Sequence, residues 1–567
     1  MRRFWTVFVG DFAVKGDRPT PTVLNGLNLN GLKNSESRDS ESRTLDRRNH
    51  RSRKTAWARY SVAWCLAILM SVIGIHPAHA LVDTSSSSAS TSVQPYIDRA
   101  IERISDFTLD NGMKFIVMER HQAPTVSFMT YVNVGSAEEE DGKTGAAHYL
   151  EHLAFKGTPR IGTTNYAAET EWLDKLDVLF NQLQQAKADN RADDVAQLTT
   201  EFEQAKRQAS DFVIQNQYSQ IVKQAGGVGL NATTSADETR YFYSFPSNKL
   251  ELWMSLESER FLQPVFREFF EEKDVILEER RARIDNSPVG TMVEEFLATA
   301  FQEHPYGRPI IGYEDDLRDM TREDIREFFE AYYTPDHIVC AIVGDVDTEQ
   351  VKEMAERYFG RFTAGSREAI ALDAEPEQTE PREVTVTLPT QPWYFEGYHV
   401  PGVGADTYLT HQMLGSVLVG GRTSRLYKSL VEDQQLALSV QKLTDFPGNR
   451  FPNMMVLYAL TAPGHTVDEI AAAIAVELDK ITTEPVSESE LERVKTQWRA
   501  QLVRSLDSNQ GMASILPEYE AKTGSWRGAF DDLAAIETIT ADDILTVAQE
   551  TFRPNNRTVG RLLPETP

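Results

Sequence analysis

Residues 148–152 read His-Tyr-Leu-Glu-His, a cluster that combines two imidazoles with a carboxylate. On a helix, side chains four positions apart lie on one face, so His148 and His152 can point at one metal ion, with Glu151 beside them. Zinc favours such ligands, and a carboxylate next to it can accept a proton from water. The motif therefore predicts a zinc site with the groups that amide hydrolysis requires.

The motif by itself is moderate evidence. With 11 histidines in 567 residues, a His-x-x-Glu-His pattern arises somewhere by chance with a probability of roughly 2%. The alternative is a helix whose histidines are ordinary surface or core residues. The neighbouring residues favour the metal site, because the apolar Ala147, Leu150 and Leu153 can bury the back of this helix.

A catalytic zinc site needs a third protein ligand. Acidic residues recur on a predicted helix at 271–280, where Glu272 and Glu279 are seven positions apart and therefore share one face. From the residues alone, this run is more typical of a solvated helical face.

The chain repeats itself at an offset of 219 residues. In both copies a capping Thr, followed three residues later by Asp, opens a helix that leads into an aromatic-x-Pro turn and a strand. The capping residues are Thr321 and Thr540, and the strands follow at 338–343 and 558–562. This pattern predicts two homologous halves.

Apolar residues recur three and four positions apart on both sides of a polar turn, which predicts an antiparallel helical hairpin inserted at 167–223. A stretch at 364–382 contains Gly, Ser, Pro and many Glu and is typical of a linker. The expected domains are therefore an N-terminal zinc-binding peptidase domain at 106–363 and a homologous C-terminal domain without the metal motif at 383–567.

Residues 1–80 are predicted to be a leader and a secretory signal peptide. Basic residues precede an apolar stretch at 62–75, and the sequence Pro-Ala-His-Ala ends at Ala80. The apolar stretch is shorter than the roughly 20 residues of a membrane-spanning helix, although an uncleaved anchor is the alternative. Cleavage after Ala80 would leave a flexible tether at 81–105 and a mature chain without a membrane span, exported to the periplasm or the medium.

Charge is distributed unevenly along the chain. Residues 1–80 carry 13 Lys/Arg and 6 Asp/Glu, whereas the rest of the chain carries 45 and 79. Phosphate binding needs clustered Lys and Arg, so nucleic acid is excluded as a partner. The acidic surface is expected to serve solubility, and selection for basic substrates is the alternative.

Residues 148–158 read His-Tyr-Leu-Glu-His-Leu-Ala-Phe-Lys-Gly-Thr and resemble the active-site segment of the pitrilysin/insulinase family of zinc peptidases, which includes mitochondrial processing peptidase. Further similar runs are Gly-Leu-Asn-Ala-x-Thr at 229–234, Leu-Glu-Ser-Glu-Arg at 256–260, Glu-Lys-Asp-Val-Ile-Leu-Glu-Glu at 272–279 and His-Pro-Tyr-Gly-Arg-Pro-Ile-Ile-Gly at 304–312. The resemblance covers essentially all of 106–565. It implies an α+β fold of two homologous halves, each a β-sheet layered with helices, facing across a cavity.

The resemblance also implies roles for individual residues. His148, His152 and Glu279 would bind one zinc ion per chain, and Glu151 would be the general base. Glu272 would be a supporting acid that orders the site. The implied activity is zinc-dependent endopeptidase cleavage of peptides or unfolded polypeptide segments.

Members of this family bind a peptide as an added strand on a sheet edge, a mode that tolerates varied side chains because it uses the backbone. In this sequence the implied strand falls on Leu230, Asn231 and Ala232.

One departure from the family pattern concerns an Arg and a Tyr, seven positions apart, that help active members to hold the substrate and its oxyanion. Here Val431 and Leu438 occupy those positions, and neither side chain can donate a hydrogen bond. We therefore expect a heterodimer in which a related, zinc-free subunit supplies the pair. The alternatives are a non-catalytic structural or binding subunit, and another zinc hydrolase such as an amidase, which the duplicated frame disfavours.

Overall fold

The computed structural model describes residues 94–365 and 372–565. The predicted leader and signal peptide, and most of the predicted tether, lie outside these ranges. None of the described helices is long and apolar enough to cross a membrane.

Two β-sheets with matching topology organise the chain. The first has the order β1-β2-β6-β3-β5-β4 and the second the order β7-β11-β8-β10-β9. The strands are β1 (Ile104–Thr108), β2 (Lys114–Glu119), β3 (Thr125–Val132), β4 (Val228–Thr234), β5 (Thr239–Pro246), β6 (Ile338–Gly344), β7 (Arg382–Thr387), β8 (Trp393–Val400), β9 (Ala437–Phe446), β10 (Asn453–Thr461) and β11 (Arg557–Leu563).

Each sheet contains one parallel pair, β2 with β6 and β7 with β11, and continues in antiparallel steps to an edge strand, β4 or β9. Strand β1, at the other edge of the first sheet, has no counterpart in the second sheet as described. The predicted α+β class with two homologous halves is confirmed.

Helices of the first half surround the first sheet. They are α1 (Gln94–Ile101), α2 (Ala146–Leu153), α3 (Tyr166–Ala188), α4 (Ala192–Ser210), α5 (Gln217–Gln224), α6 (Leu250–Leu262), α7 (Phe269–Arg280), α8 (Pro288–Ala300), α9 (Glu314–Asp319), α10 (Arg322–Tyr332) and α11 (Thr348–Phe359).

The second half has its own set of helices. They are α12 (Tyr408–Leu418), α13 (Arg425–Tyr427), α14 (Val467–Thr483), α15 (Glu488–Leu506), α16 (Asn509–Thr523), α17 (Gly528–Thr538) and α18 (Ala541–Thr551). Thr321 and Thr540 cap α10 and α18 in equivalent places, each with a complete capping box.

One helix of each half packs on the β-sheet of the other half. Helix α8 of the first half packs its Phe296 against Phe395 of the second sheet. In the reverse direction, α16 of the second half places Met512 and Leu516 on the first sheet, beside strands β3 and β6. Both faces of each sheet are apolar and must be covered, so this exchange joins the halves into one body.

The inserted hairpin consists of α3 and α4. Leu173, Leu176 and Phe180 face Phe202 and the rest of the first core. The apolar residues of both helices thus lie on the side that faces the first core.

A buried ion pair anchors the hairpin to the body. The Arg267 guanidinium donates to both carboxylate oxygens of Glu169, and also to the carbonyl oxygens of Lys156, Thr158 and Ile161. Both charged side chains are at most 1% exposed. The pair therefore fixes α3 to the loop that follows the metal motif.

Two predicted connecting segments carry more structure than their composition suggests. Helix α1 lies inside the predicted tether, because Ile97 and Ala100 bury against the first sheet. In the described part of the predicted linker, Glu375 accepts a hydrogen bond from the Gln302 backbone at 2.9 Å, and Gln378 donates to the Arg557 carbonyl at 2.8 Å. Polar side chains of this segment therefore form hydrogen bonds with the backbone of both halves, which holds the segment against them.

Candidate metal centre and active site

Helix α2 carries the motif and begins at a glycine. Gly145 has φ of 91°, and a Cβ there would lie 2.6 Å from the Ile311 carbonyl oxygen, so only glycine fits. Glu139 accepts hydrogen bonds from the backbone N–H groups of Gly145 and Ala147, both at 2.8 Å, and so caps the helix. These contacts fix the N-terminus of α2, and the helix presents His148, Glu151 and His152 to the site.

Tyr149, inside the motif, docks α2 against α7. Its ring stacks on Phe269 with centroids 4.7 Å apart, and its hydroxyl donates to the Phe269 carbonyl oxygen. This contact aligns the two helices that carry the predicted metal ligands.

The structure brings His148, His152 and Glu279 together as one donor set. Their potential ligand atoms all lie within 4.8 Å of one another. The Nε2 atom of His148 is 3.7 Å from Oε1 of Glu279, and Nε2 of His152 is 3.5 Å from Oε2 of Glu279. Ligands bound to one tetrahedral zinc at 2.0–2.2 Å are separated by roughly 3.3–3.6 Å. The residues present therefore fit a zinc ion in both chemistry and spacing.

The protonation states suit metal binding at two of the three predicted ligands. Burial lowers the pKa of His148 to about 3, which keeps this ring neutral. Burial raises the pKa of Glu279, but the His152 hydrogen bond and nearby positive charges hold it at about 2. Burial lowers the pKa of His152, yet hydrogen bonds to Glu272 and Glu279 raise it to about 9. A metal ion would displace a proton from His152.

Glu272 lies outside the donor set and contacts one of its members, His152. Its Oε2 is 3.1 Å from Nδ1 of His152, which orients the ring so that Nε2 faces Glu279. Lys156 forms an ion pair with the same carboxylate, and its Nζ is also 3.2 Å from Glu268. The carboxylate of Glu272, the predicted supporting acid, is therefore itself held by the Lys156 cation.

A π-helical turn, Arg281–Asp285, extends α7 at the site. Arg283 on this turn places Nη1 2.7 Å from Oε1 of Glu279. Local π-helical geometry is frequent at functional sites, where it redirects side chains. Arg283 fixes the orientation of the Glu279 carboxylate.

The predicted base, Glu151, is held by a threonine. The Thr234 hydroxyl donates to Oε2 of Glu151 at 2.5 Å. Burial raises the pKa of Glu151 above its ordinary value, against the opposing effects of His152 and of the Thr234 hydrogen bond. A raised pKa makes a carboxylate a better proton acceptor.

The three predicted substrate-binding residues lie on β4. This strand pairs with β5 on one side and is the edge of the sheet in the described part of the chain. Asn231 is opposite Phe242 and Ala232 is opposite Tyr241, whereas the register shifts near Leu230. Because Thr234 ends this strand, the exposed edge leads directly to Glu151.

A cavity opens beside the donor set, between the two halves. His148, Thr234 and Arg283 line it from the first half, and Leu443 and Phe446 of β9 line it from the second. The cavity between the halves therefore lies next to the predicted catalytic groups.

Val431 and Leu438 are not part of this cavity. Val431 is half-buried against the second core, and Leu438 near the start of β9 is 52% exposed. Leu438 precedes the cavity-lining Leu443 by five residues, on the order of 17 Å along an extended strand.

Sequence reasoning did not assign roles to Thr234, Lys156, Arg283 or Glu139. Thr234 and Lys156 both stand within the runs that carry the family resemblance. Arg283 is four residues after Glu279, so helical spacing alone could have placed it on the same face. Glu139 has no comparable signal, because it reaches the helix through a turn.

Two family models match most of the described chain. The model described as "Insulinase (Peptidase family M16)" matches residues 114–174 and 207–314, and the model described as "Peptidase M16 inactive domain" matches 319–498. The first match leaves out 175–206, which are residues of the α3–α4 hairpin.

Full-length relatives agree with these matches. The zinc protease PqqE of Helicobacter pylori is 27% identical over 464 residues, covering 81% of this chain and 92% of the relative. A probable mitochondrial-processing peptidase subunit beta of Schizosaccharomyces pombe is 25% identical over 476 residues, covering 81% and 91%. A crystal structure of a protease from Helicobacter pylori matches with a TM-score of 0.68 at 26% identity, covering 81% of this chain and 99% of that one. The chain belongs to the insulinase family of peptidases, family M16.

Proposed function

We propose that this chain is a zinc-dependent endopeptidase that cleaves peptides or unfolded polypeptide segments. The observation that carries the proposal is the convergence of His148, His152 and Glu279 at zinc-ligand spacing, with Glu151 on the same helix. When bound, zinc supplies a Lewis acid that activates water and polarises a peptide carbonyl group.

Residues of this chain carry out proton transfer, orient a zinc ligand and bind the substrate backbone. Glu151 accepts the proton of the attacking water and passes it to the leaving amine, and Thr234 holds its carboxylate in place. Glu272 orients His152. The free edge of β4 at Leu230 to Ala232 receives the substrate backbone by strand addition. An extended or unfolded chain fits this mode, whereas a folded domain does not.

We further propose that a related, zinc-free subunit completes the active site. Positions 431 and 438 carry side chains without hydrogen-bond donors, and Leu438 lies far along β9 from the chain's own cavity. An Arg and a Tyr at the equivalent places of a partner could face this chain's donor set. An exported location, with a signal peptide cleaved after Ala80, is part of the same proposal.

A non-catalytic role as a binding subunit is the second candidate, which the absent pair favours. Glu151 distinguishes the two, since a purely structural subunit has no need of a positioned base.

The test compares zinc-loaded wild type with Glu151→Gln, each incubated with an unstructured peptide in the presence of the partner subunit. Glu140→Gln is a matched control, because Glu140 is an exposed acid on the loop before α2. We expect Glu151→Gln to keep its zinc and lose at least 1,000-fold in kcat, and Glu140→Gln to keep full activity. Unchanged cleavage by zinc-replete Glu151→Gln would refute the mechanism.

A further inference from the structure

The hairpin that joins β4 to β5 ends in a carboxylate that is wholly buried between the halves. Asp237, at the tip of this hairpin, is 0% exposed. Its Oδ2 accepts hydrogen bonds from the backbone N–H groups of Asn449 at 2.6 Å and Arg450 at 2.9 Å, both on the loop between β9 and β10 of the second half. Its Oδ1 accepts a hydrogen bond from the Tyr306 hydroxyl at 2.5 Å. The second half therefore holds the tip of the hairpin that carries the proposed substrate strand.

The loop and the hairpin tip approach each other so closely that a glycine is required. A Cβ on Gly448 would lie 2.4 Å from Oδ2 of Asp237. A buried carboxylate that lost its hydrogen bonds would be costly, so these contacts favour a single arrangement of the two segments. The tip itself is held by Ser235, whose Oγ accepts the backbone N–H groups of Asp237 and Glu238 at 3.2 Å and 3.1 Å. A displacement of the loop would therefore be passed to Thr234, which directly precedes Ser235.

The same loop contacts the turn that leads into the motif helix. Arg450 forms an ion pair with Glu138, and Glu138 directly precedes Glu139, which caps α2. Ala137 on this turn donates its backbone N–H to the Ala236 carbonyl oxygen at 2.9 Å, so the turn is also bonded to the hairpin tip. One loop of the second half thus reaches both segments of the first half that support the catalytic groups.

These contacts are polar and local, whereas apolar side chains join the halves elsewhere. Met512 and Leu516 pack on the first sheet, and Phe296 packs on the second. Buried polar groups with all of their partners present fix a particular arrangement more than they add to stability. The loop is therefore expected to act on the position of the hairpin rather than on the association of the halves.

We propose that the loop at 448–450 of the second half positions the catalytic base, and that Asp237 is its main point of contact. By fixing the hairpin tip, Asp237 fixes Thr234, and through the Thr234 hydroxyl it fixes the carboxylate of Glu151. Asp237 is thus a positioning residue, since it acts through Thr234. This inference rests on the proposed peptidase function, and it gives the half without the metal motif a task in catalysis within the same chain.

The first measurement is a double-mutant cycle on kcat, with zinc-loaded protein and its partner subunit. Asp237→Asn keeps the size of the side chain but replaces one acceptor oxygen by a donor. It should lower kcat by about fivefold or more and leave the zinc content unchanged. Added to Thr234→Val, which already removes the link to Glu151, it should cost at most about twofold more. Losses that multiply in the double variant would show that Asp237 does not act through Thr234 and would overturn the proposal.

Gly448→Ala tests the same contact from the second half. Its Cβ would push the loop away from the Asp237 carboxylate without altering a charge, so kcat should again fall by about fivefold or more. Asp106→Asn is the control, because Asp106 accepts a hydrogen bond from Trp526 Nε1 at 3.1 Å across the halves but lies on β1, at the opposite edge of the first sheet. It should keep the wild-type kcat. Unchanged kcat in folded Asp237→Asn and Gly448→Ala, or an equal loss in the control, overturns the positioning role.

The second measurement does not depend on cleavage. Hydrogen–deuterium exchange followed by mass spectrometry reports how often the backbone at 228–240 opens. Asp237→Asn and Gly448→Ala should speed exchange there by about fivefold and leave exchange in β2 unchanged. Unchanged exchange at 228–240 overturns the proposal whatever the activity. Faster exchange in both variants, together with a wild type that cleaves no peptide, overturns the peptidase proposal alone.

Discussion

Thr234 Oγ1 donates a hydrogen bond to Oε2 of Glu151 at 2.5 Å, which joins the end of an edge strand to the carboxylate beside the proposed zinc ligands. The strand that is proposed to receive the substrate is therefore mechanically linked to the base that acts on it. In the proposed mechanism, this one hydrogen bond connects substrate binding to proton transfer.

The Thr234→Val substitution removes this donor and preserves the shape of the side chain. A hydrogen bond to a charged group contributes about 1.5–3 kcal/mol, so we expect kcat to fall by roughly 10- to 100-fold. Zinc content, measured by metal analysis, should not change. Thr234→Ser keeps the hydroxyl and should recover most of the rate, and equal losses in both variants would show that the hydrogen bond is irrelevant.

The Glu272→Gln substitution tests the support of His152. The carboxylate holds the ring from its Nδ1 side, and loss of such a partner typically costs about 10- to 100-fold in metal affinity. Competition with a chelator of known affinity measures the effect. Glu278→Gln, an exposed acid on the same helix, is the control and should bind zinc as wild type does.

Glu279→Gln should have a larger effect than Glu272→Gln, because it removes a proposed ligand rather than a supporting group. It also leaves the Arg283 cation without its 2.7 Å partner. We expect stoichiometric zinc binding to be lost at micromolar metal. Retention of one tightly bound zinc in Glu279→Gln would rule out the proposed donor set.

The parts of the site that the sequence predicted are those with fixed local spacing. His148, Glu151 and His152 occupy one short helix, so helical spacing is sufficient to group them. Glu272 and Glu279 share a face of another helix, but only the family resemblance assigned that face to the same site. The duplicated halves were predictable for a similar reason, since caps and turns leave local residue patterns.

The parts that sequence reasoning could not predict depend on contacts between distant elements. The apolar face of α8 indicates that this helix is buried, but it does not indicate which sheet covers it. In the structure α8 packs on the second sheet and α16 packs on the first. The apolar cavity likewise requires Val293 and Leu443 to meet from different halves. Helix α1 lies in the predicted tether, and its short apolar face is a weak signal without the sheet that covers it.

The Arg267→Met substitution tests how the inserted hairpin is held. It would leave the Glu169 carboxylate buried without its cation, and such a loss typically costs about 3–5 kcal/mol of folding free energy. Chemical denaturation measures the change. Arg191→Met breaks an exposed pair with Asp194 on the same hairpin and should cost at most about 1 kcal/mol. Equal effects of the two substitutions would contradict the anchoring role of Arg267.

The requirement for a second chain can be tested by complementation within this sequence. The double variant Val431→Arg/Leu438→Tyr restores the pair that the family pattern contains, and Glu151→Gln added to it removes the base. If the pair acts across an interface between chains, a mixture of this triple variant with wild type should cleave peptide at least tenfold faster than either protein alone.

The physical reason for expecting complementation is distance. Leu438 lies on the order of 17 Å along β9 from the cavity-lining Leu443, beyond the reach of a tyrosine side chain. Each mixed dimer would combine the base of one chain with the pair of the other, so the rate should rise with the square of protein concentration at low occupancy. An inactive mixture, together with an active Val431→Arg/Leu438→Tyr double variant that sediments as a monomer, would place the pair and the base in the same chain and contradict the two-chain proposal.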